Sequence, residues 1–256
     1  MEVIQVPALE DNYIYILADP QSKQAVVIDP GAGPPAVKAL KEHGLTPVAI
    51  LNTHHHWDHT GGNGYVLDRY PGLIVYAGKK DQGHIDRMTH GVDEGDALAL
   101  LGAQAQVFAL PGHTAGHVGY YFEHEDLLFC GDTLFVAGCG RVFDGTVDDL
   151  YHSLQRLLLL PDDTRIYCGH EYTEQNLRFA LSVQASHDGV RNAYFKVQGM
   201  RAQGQATVPE LLGQDKTINP FLRVHDPDLQ KALALEGADP LEVFRELRWR
   251  KDQFKG

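Results

Sequence analysis

Short apolar runs alternate with helical patterns along the first two thirds of the chain. The apolar runs predict strands at residues 12–17, 25–28, 48–51, 73–77, 107–110, 118–122, 127–130 and 165–168. The helical patterns predict helices at residues 34–43, 62–70 and 148–160, the first of which has proline early and glycine just past its end. This mixture of strands and helices indicates layers of sheet and helix.

The pattern changes near residue 173, where the strand signals stop. Residues 173–203 predict two helices, and residues 226–235 and 240–251 predict two more. We therefore predict a boundary near residue 173 between a sheet-containing part, residues 1–172, and a smaller all-helical part, residues 173–256.

A dense polar cluster, residues 53–59, directly follows the predicted strand 48–51. It contains four imidazoles and one carboxylate. Because side chains two apart in an extended segment share a face, His54 and His56 can point at one ion. Asp58 and His59 can then aim at a second point, since the chain must turn at the glycines that follow. Imidazole and carboxylate suit zinc, iron or manganese, whereas a polar loop with chance histidines is the alternative.

Three further metal-competent side chains follow predicted strands. His113, Asp132 and His170 come just after residues 107–110, 127–130 and 165–168. If these strand ends meet at one edge of packed sheets, the loops that carry these residues converge there. Seven candidates are too many for one tetrahedral zinc ion, which takes about four ligands. Two ions that share a carboxylate fit the number of donors, and Asp132 is the natural bridge.

Asp29 also stands at the end of a predicted strand. It could be a metal ligand, a residue that orients a ligand, or a carboxylate that caps a turn or helix.

Composition limits the classes of partner and compartment. The chain has 22 basic and 34 acidic residues, a net charge of -12, which argues against nucleic acid as a partner. No run approaches the ~18 apolar residues of a membrane span, and the N-terminus lacks the features of a signal peptide. Three cysteines cannot form a disulfide framework, which favours a reducing compartment. We expect a cytoplasmic monomer that does not bind membranes.

The chain resembles the metallo-β-lactamase superfamily and, more narrowly, the hydroxyacylglutathione hydrolases, also called glyoxalase II. The motifs that carry the resemblance are Thr-His-His-His-Trp-Asp-His at 53–59, Gly-Gly-Asn at 61–63, Pro-Gly-His-Thr at 111–114, Cys-Gly-Asp-Thr at 130–133, Gly-His-Glu-Tyr at 169–172 and the C-terminal segment 247–254. The C-terminal segment discriminates most, because the metal motif indicates only the superfamily. The resemblance implies an α+β fold. In it, an αββα sandwich, the catalytic domain at residues 1–172, is followed by a helical substrate-binding domain at residues 173–256.

The resemblance also implies a site for two divalent ions, with zinc favoured over iron or manganese. It implies His54, His56 and His113 on one ion, Asp58, His59 and His170 on the other, and Asp132 as the bridge, with Asp58 and Asp132 as the catalytic carboxylates. His55 and Trp57 are expected to be scaffold.

A glutathione site is implied in the glycine-rich loop 138–145, at Tyr172 and at the C-terminal Arg248 and Lys251. Many members of the family carry lysine and tyrosine where this chain has Arg141 and Phe143. Arginine can still bind a carboxylate, but Phe143 cannot donate a hydroxyl hydrogen bond. The alternative for the C-terminal cations is a solvated helix end, where positive charge complements the helix dipole.

The implied reaction is hydrolysis of S-(2-hydroxyacyl)glutathione thioesters, such as S-D-lactoylglutathione, to glutathione and a 2-hydroxy acid, the second step of methylglyoxal detoxification. A thiol with a pKa near ~8.5 leaves without a strong general acid. Other enzymes of this fold remain alternatives: a mono-iron persulfide dioxygenase, a lactonase, a lactamase, or a nuclease, which the acidic balance disfavours. A non-catalytic metal sensor would need closed coordination, whereas seven ligands around two ions leave positions open.

Overall fold

The computed structural model describes all 256 residues, and the chain forms two compact units. Unit 1 comprises residues 1–110 and 114–131, and unit 2 comprises residues 111–113 and 132–256. No helix of the protein is both long enough and apolar enough to span a membrane.

Unit 1 contains ten strands and three α-helices. In chain order they are β1 (Glu2–Ala8), β2 (Asn12–Ala18), β3 (Gln24–Ile28), α1 (Gly33–Glu42), β4 (Thr46–Leu51), α2 (Trp57–Thr60), α3 (Asn63–Arg69), β5 (Ile74–Gly78), β6 (His90–Val92), β7 (Ala97–Leu100), β8 (Ala103–Ala109), β9 (Val118–Phe122) and β10 (Leu127–Gly131).

The first sheet of unit 1 has the order β1-β2-β3-β4-β5-β6. Its first three strands are antiparallel, and the pairs from β3 to β6 are parallel. Ile14, Ile16 and Ile50 are fully buried in a core that includes apolar residues of α1 and α3. Burial of each such side chain contributes about 1.5–3 kcal/mol, so this core fixes the strand ends that carry polar residues.

The strands β10, β9, β8 and β7 pair in that order, all antiparallel, and form a second layer in unit 1. The two layers face one another. The ring of Tyr15 in β2 lies 5.6 Å from that of Phe129 in β10, and the hydroxyl of Tyr120 in β9 donates to the carbonyl of Asn52, 2.9 Å away. This last bond ties the second layer to the loop that begins the histidine cluster.

Unit 2 contains four short strands and six helices. They are β11 (Leu134–Phe135), β12 (Gly138–Cys139), α4 (Val147–Leu157), β13 (Arg165–Cys168), α5 (Thr173–Val183), α6 (Asp188–Ala202), β14 (Glu210–Leu211), α7 (Leu212–Ile218), α8 (Pro227–Leu233) and α9 (Pro240–Gln253).

Apolar faces of α5, α6 and α7 meet in a small core formed by Leu177, Val190, Val197 and Ile218. The helix α4 lies against α9, where the ring of Tyr151 is 5.5 Å from that of Phe244. The strands β11 and β12 form a two-residue hairpin, and β13 pairs with β14.

The strands and helices predicted from the sequence are confirmed, with ends that differ by a few residues. The prediction missed β1, β6, β7, β11, β12, α2 and α7, and the statement that strand signals stop at residue 173 is wrong at β14. That strand has only two residues, and it owes its pairing to β13 rather than to a pattern of its own. The short strands β6 and β7 escaped prediction because they lie in or next to a polar stretch.

Candidate metal centre

In unit 1, the loop after β4 brings its four candidate ligands together. Nε2 of His54 lies 3.1 Å from Nδ1 of His56, and the rings of His54 and His59 are 4.1 Å apart. Oδ2 of Asp58 lies 3.6 Å from Nε2 of His59. His54 and His59 are buried, and the other two are partly exposed. His54 lies near both His56 and His59, so these distances do not by themselves divide the four side chains between two ions.

Asp29 orients this cluster from the end of β3. Its carboxylate accepts from the backbone N–H of Thr53 at 2.7 Å and from the Thr53 hydroxyl at 2.6 Å. It also lies 3.0 Å from Nδ1 of His59. The Asp29 carboxylate favours the His59 tautomer that carries its proton on Nδ1. In that tautomer the lone pair of Nε2 is the one that can bind a metal. Of the three roles considered for Asp29, the structure therefore favours that of a residue that orients a ligand.

Three more residues of unit 1 contact the candidate ligands. The amide of Asn12 donates to Oδ2 of Asp58 at 3.0 Å and to its carbonyl at 3.2 Å. The ring of His117 is buried and stacks on that of His54 at 4.8 Å. The ring of His55 packs edge-on against that of His56, with centroids 5.1 Å apart, and its Nδ1 lies 3.0 Å from the buried carboxylate of Asp81. Sequence reasoning gave no role to Asn12 or His117, because no local spacing marks them.

In unit 2, the other three candidate ligands form a second group. Oδ2 of Asp132 lies 3.5 Å from Nε2 of His113 and 3.3 Å from Nε2 of His170. All three residues are at most 6% exposed. Nδ1 of His113 donates to the carbonyl of Arg141 at 2.7 Å, which directs Nε2 toward Asp132. The ring of His170 stacks on Tyr172, with centroids 4.7 Å apart and planes 4° apart.

The donor types fit divalent metal ions. Neutral imidazole nitrogen and carboxylate oxygen are the ligands that zinc, iron and manganese take in proteins, and three groups of such side chains in this chain could hold an ion. Burial of a carboxylate without a cation is costly. A divalent cation would offset that cost and would use the Nε2 atoms that the outer hydrogen bonds direct inward.

The residues predicted to contact substrate lie in unit 2, in different environments. The side chain of Arg141 is 60% exposed, with Nε 3.5 Å from Oδ1 of Asp252. Phe143 is 62% exposed, and its backbone N–H donates to the carbonyl of His113 at 3.0 Å. Both are therefore accessible at the surface of the glycine-rich loop.

Arg248 and Lys251 on α9 are more enclosed. Arg248 is only 4% exposed. Its guanidinium donates to the carbonyls of Cys139 and Gly140, both at 3.1 Å, and to Asp252 at 2.9 Å. Nζ of Lys251 lies 5.2 Å from the centroid of the Phe179 ring. Burial lowers the pKa of Lys251 to about 8, an effect to which the nearby Arg248 charge adds.

Comparison with known proteins identifies two family regions in the chain. The family described as the metallo-β-lactamase superfamily matches residues 9–170, and the family described as the hydroxyacylglutathione hydrolase C-terminus matches residues 171–254. A hydroxyacylglutathione hydrolase of Synechococcus sp. (strain JA-3-3Ab) is 47% identical, over 99% of this chain and 100% of that protein.

Solved structures share the fold. The BLEG-1 B3 metallo-β-lactamase superposes with a TM-score of 0.68 at 26% identity, over 86% of this chain and 99% of that one. The protein TTHA1623, solved in a di-iron-bound form, superposes with a TM-score of 0.55 at 31% identity, over 66% of this chain and 92% of that one. The α+β fold expected from the sequence motifs is confirmed.

Proposed function

Because the chain belongs to the metallo-β-lactamase superfamily and, within it, to the hydroxyacylglutathione hydrolases, we propose that it hydrolyses S-(2-hydroxyacyl)glutathione thioesters. S-D-lactoylglutathione would give glutathione and D-lactate, the second step of methylglyoxal detoxification. The observation that carries the proposal is the match to a hydroxyacylglutathione hydrolase along the whole chain, including the C-terminal region.

We further propose a binuclear site. His54, His56 and His113 would hold one ion, Asp58, His59 and His170 the other, and Asp132 would bridge them. The donor set supports this assignment, as do the hydrogen bonds that direct Nε2 of His59 and of His113 toward carboxylates. Zinc is the expected metal, and iron or manganese would suit the same donors.

Divalent ions bound there would supply hydroxide at neutral pH and would stabilise negative charge on the thioester oxygen. The protein's part is to hold the donors in place. Asn12 fixes the carboxylate of Asp58, and the imidazoles of His113 and His170 lie against that of Asp132. Asp58 and Asp132 are therefore the catalytic carboxylates of the proposal. The thiolate product needs no strong general acid, since a free thiol has a pKa near ~8.5.

The glutathione end of the substrate would lie near Arg141, Phe143, Tyr172, Arg248 and Lys251. Glutathione carries carboxylates, whereas the chain carries a net charge of -12, so a local group of cations is required for attraction. Three cations on the loop and on α9 meet that requirement. The ring of Tyr172 packs on His170 and so lies beside the acyl end of the proposed site.

The organisation that we propose has a catalytic domain at residues 1–172 and a helical substrate-binding domain at residues 173–256. The junction of the two family matches, between residues 170 and 171, lies two residues before this boundary and supports it. We also propose that the protein acts as a monomer in the cytoplasm.

A panel of substrates tests the function. The zinc-loaded protein is expected to hydrolyse S-D-lactoylglutathione in preference to a β-lactam, a lactone or glutathione persulfide, as measured by release of free thiol or by the change in absorbance. His54→Ala should abolish the activity, whereas His124→Ala, at an exposed histidine of a turn, should retain it. A preference for any of the other three substrates would refute the proposal.

A further inference from the structure

Side chains from the C-terminal helices hold consecutive backbone groups of residues 135–140. Asn219 donates to the carbonyls of Phe135 and Gly138, at 3.3 and 3.0 Å. Asn176 on α5 donates to the carbonyl of Val136 at 3.1 Å, and Asp215 on α7 accepts from the N–H of Ala137 at 2.6 Å. Arg248 on α9 completes the set at the carbonyls of Cys139 and Gly140.

These four side chains, which we name the loop clamp (Asn176, Asp215, Asn219 and Arg248), are all at most 4% exposed. Two of them are joined, since Asn219 donates to Oδ2 of Asp215 at 2.9 Å. Burial raises the pKa of Asp215 to about 7. Each of the four side chains supplies a hydrogen-bond partner to the loop backbone, so an apolar replacement would leave a buried backbone group unsatisfied. The four side chains together therefore favour one loop geometry.

The held backbone is not one that the segment would adopt unaided. Ala137 has a φ of 57°, a left-handed conformation that alanine disfavours. At Gly138 a Cβ would lie 2.5 Å from the amide of Asn176, so only glycine permits the close approach. The loop clamp therefore selects a conformation against the local preference of the chain.

The segment that the loop clamp holds joins two parts of the proposed site. Asp132, the proposed bridging ligand, precedes it, and Arg141 and Phe143 follow it. Immediately after the segment, the carbonyl of Arg141 orients the ring of His113, and the N–H of Phe143 binds the His113 carbonyl. A shift of residues 135–140 would therefore move both the orienting carbonyl and the side chains that face the substrate.

We propose that the loop clamp is a set of positioning residues for the thioester reaction. Asn176, Asp215 and Asn219 act only through the loop, and Arg248 holds the loop in addition to its proposed place beside glutathione. The inference rests on the proposed function in one respect, the use of S-D-lactoylglutathione as the substrate whose KM is measured. Displacement of substrate-positioning groups by about 1 Å can cost about 100-fold in rate, so a buried clamp remote from the reacting atoms can control catalysis.

Asn219→Ala tests the clamp, with Ile218→Ala as the matched control. Ile218 is the neighbouring buried residue of α7. Its loss removes apolar packing from the core that also contains Ala137 of the loop, but it removes no hydrogen bond to the loop, so this variant separates packing from the clamp's hydrogen bonds. At saturating zinc, Asn219→Ala is expected to raise the KM for S-D-lactoylglutathione about 10-fold or more, with metal content unchanged. Ile218→Ala should lower the urea midpoint but keep the wild-type KM.

Hydrogen exchange provides a readout that needs no activity. Asn219→Ala should speed exchange of the amides in residues 133–141, and Ile218→Ala should not. Should Asn219→Ala fail to fold, Asn176→Ala removes the single bond to Val136 and is expected to change exchange and KM in the same direction. Wild-type KM and wild-type exchange in a folded clamp variant would overturn the proposal.

A double-mutant cycle tests Arg248. The effects of Arg248→Met and Asn219→Ala on kcat/KM should be less than additive, because both act on the same loop. Additive effects would contradict the positioning role of Arg248. If the wild-type protein did not hydrolyse the thioester at all, the proposed function would fail, and hydrogen exchange would still decide whether the clamp holds the loop.

Discussion

Asp29→Asn is the perturbation that most sharply tests how the protein prepares its candidate metal ligands. Asp29 has a φ of 48°, a left-handed conformation that asparagine tolerates better than alanine does. The substitution therefore preserves the backbone. It exchanges one carboxylate oxygen for an NH2 group. When the remaining oxygen still accepts from the backbone N–H of Thr53, the NH2 group faces the Thr53 hydroxyl and Nδ1 of His59.

The two contacts respond differently to that exchange. The Thr53 hydroxyl can rotate and accept from the new NH2 group. Nδ1 of His59 cannot keep its proton against a donor, so the imidazole must move its proton to Nε2 or lose the contact. Nε2 faces Asp58 at 3.6 Å and is the proposed ligand atom. The substitution thus opposes the tautomer that metal binding requires.

The size of the effect on stability and on metal affinity follows from the contact that is lost. One hydrogen bond to a charged group is lost, which is about 1.5–3 kcal/mol of unfolding free energy in the metal-free protein. Loss of a partner that orients a ligand typically weakens metal binding about 10- to 100-fold, or about 1.4–2.8 kcal/mol. The weakening should fall on the ion that His59 holds, so the variant should bind one ion tightly and the other weakly.

Competition with a chromophoric zinc chelator measures both affinities, and urea unfolding measures stability. Asp126→Asn is the matched control, because Asp126 has a φ of 54° and lies in the turn before β10. The control should bind zinc with the stoichiometry and affinities of the wild type. If Asp29→Asn also bound two zinc ions with wild-type affinity, the reasoning about the His59 tautomer would be refuted.

Three further predictions follow from the charges of unit 2 and from the metal donors. Lys251→Ala should raise the KM for the thioester with little change in metal content. In the wild type, KM should rise as the pH passes about 8, because Lys251 loses its charge there. This dependence of KM on pH should be weaker in the variant. The pKa of Asp215 is raised from 3.8 to about 7, so the folded state binds this proton more tightly than the unfolded state, and Asp215 should lower stability as pH rises from about 4 to about 7. The urea midpoint of metal-free Asp215→Asn should decline less than that of the wild type over this window, and an identical decline would contradict the assignment. Removal of metal with a chelator should abolish hydrolysis and lower the urea midpoint, and zinc should restore both.

Much of the candidate site was predictable because its ligands share a local rule. His54, His113, Asp132 and His170 each come within four residues of the end of a buried strand, and short apolar runs identify those strands. The helices were predictable for a similar reason, since their apolar spacing is a property of the local sequence. The division of His54 with His56 from Asp58 with His59 stays a prediction from local geometry.

The residues that orient the ligands could not be predicted in this way. Asn12 contacts Asp58 across 46 positions, and Asp29 contacts His59 across 30, so no spacing relates them. His117 resembles any other histidine in a glycine-containing turn until the fold stacks it on His54. These contacts depend on sheet register, which the sequence pattern does not specify.

The loop clamp illustrates the same limit over a longer range. Ala137 and Asp215 are 78 positions apart, and Asn219 reaches Phe135 across 84. The family resemblance directed attention to Arg248 as a contact for glutathione. Its burial against the Cys139 and Gly140 carbonyls became evident only from the three-dimensional structure.

The most direct test of the central claim measures bound metal and thioester hydrolysis in the same sample. Metal-free protein is titrated with zinc, and the rate of S-D-lactoylglutathione hydrolysis is recorded at each ratio of bound zinc to chain. We expect activity to reach its plateau at two zinc ions per chain. Full activity at one ion, or no hydrolysis by protein that holds two, would contradict thioester hydrolysis at a binuclear site.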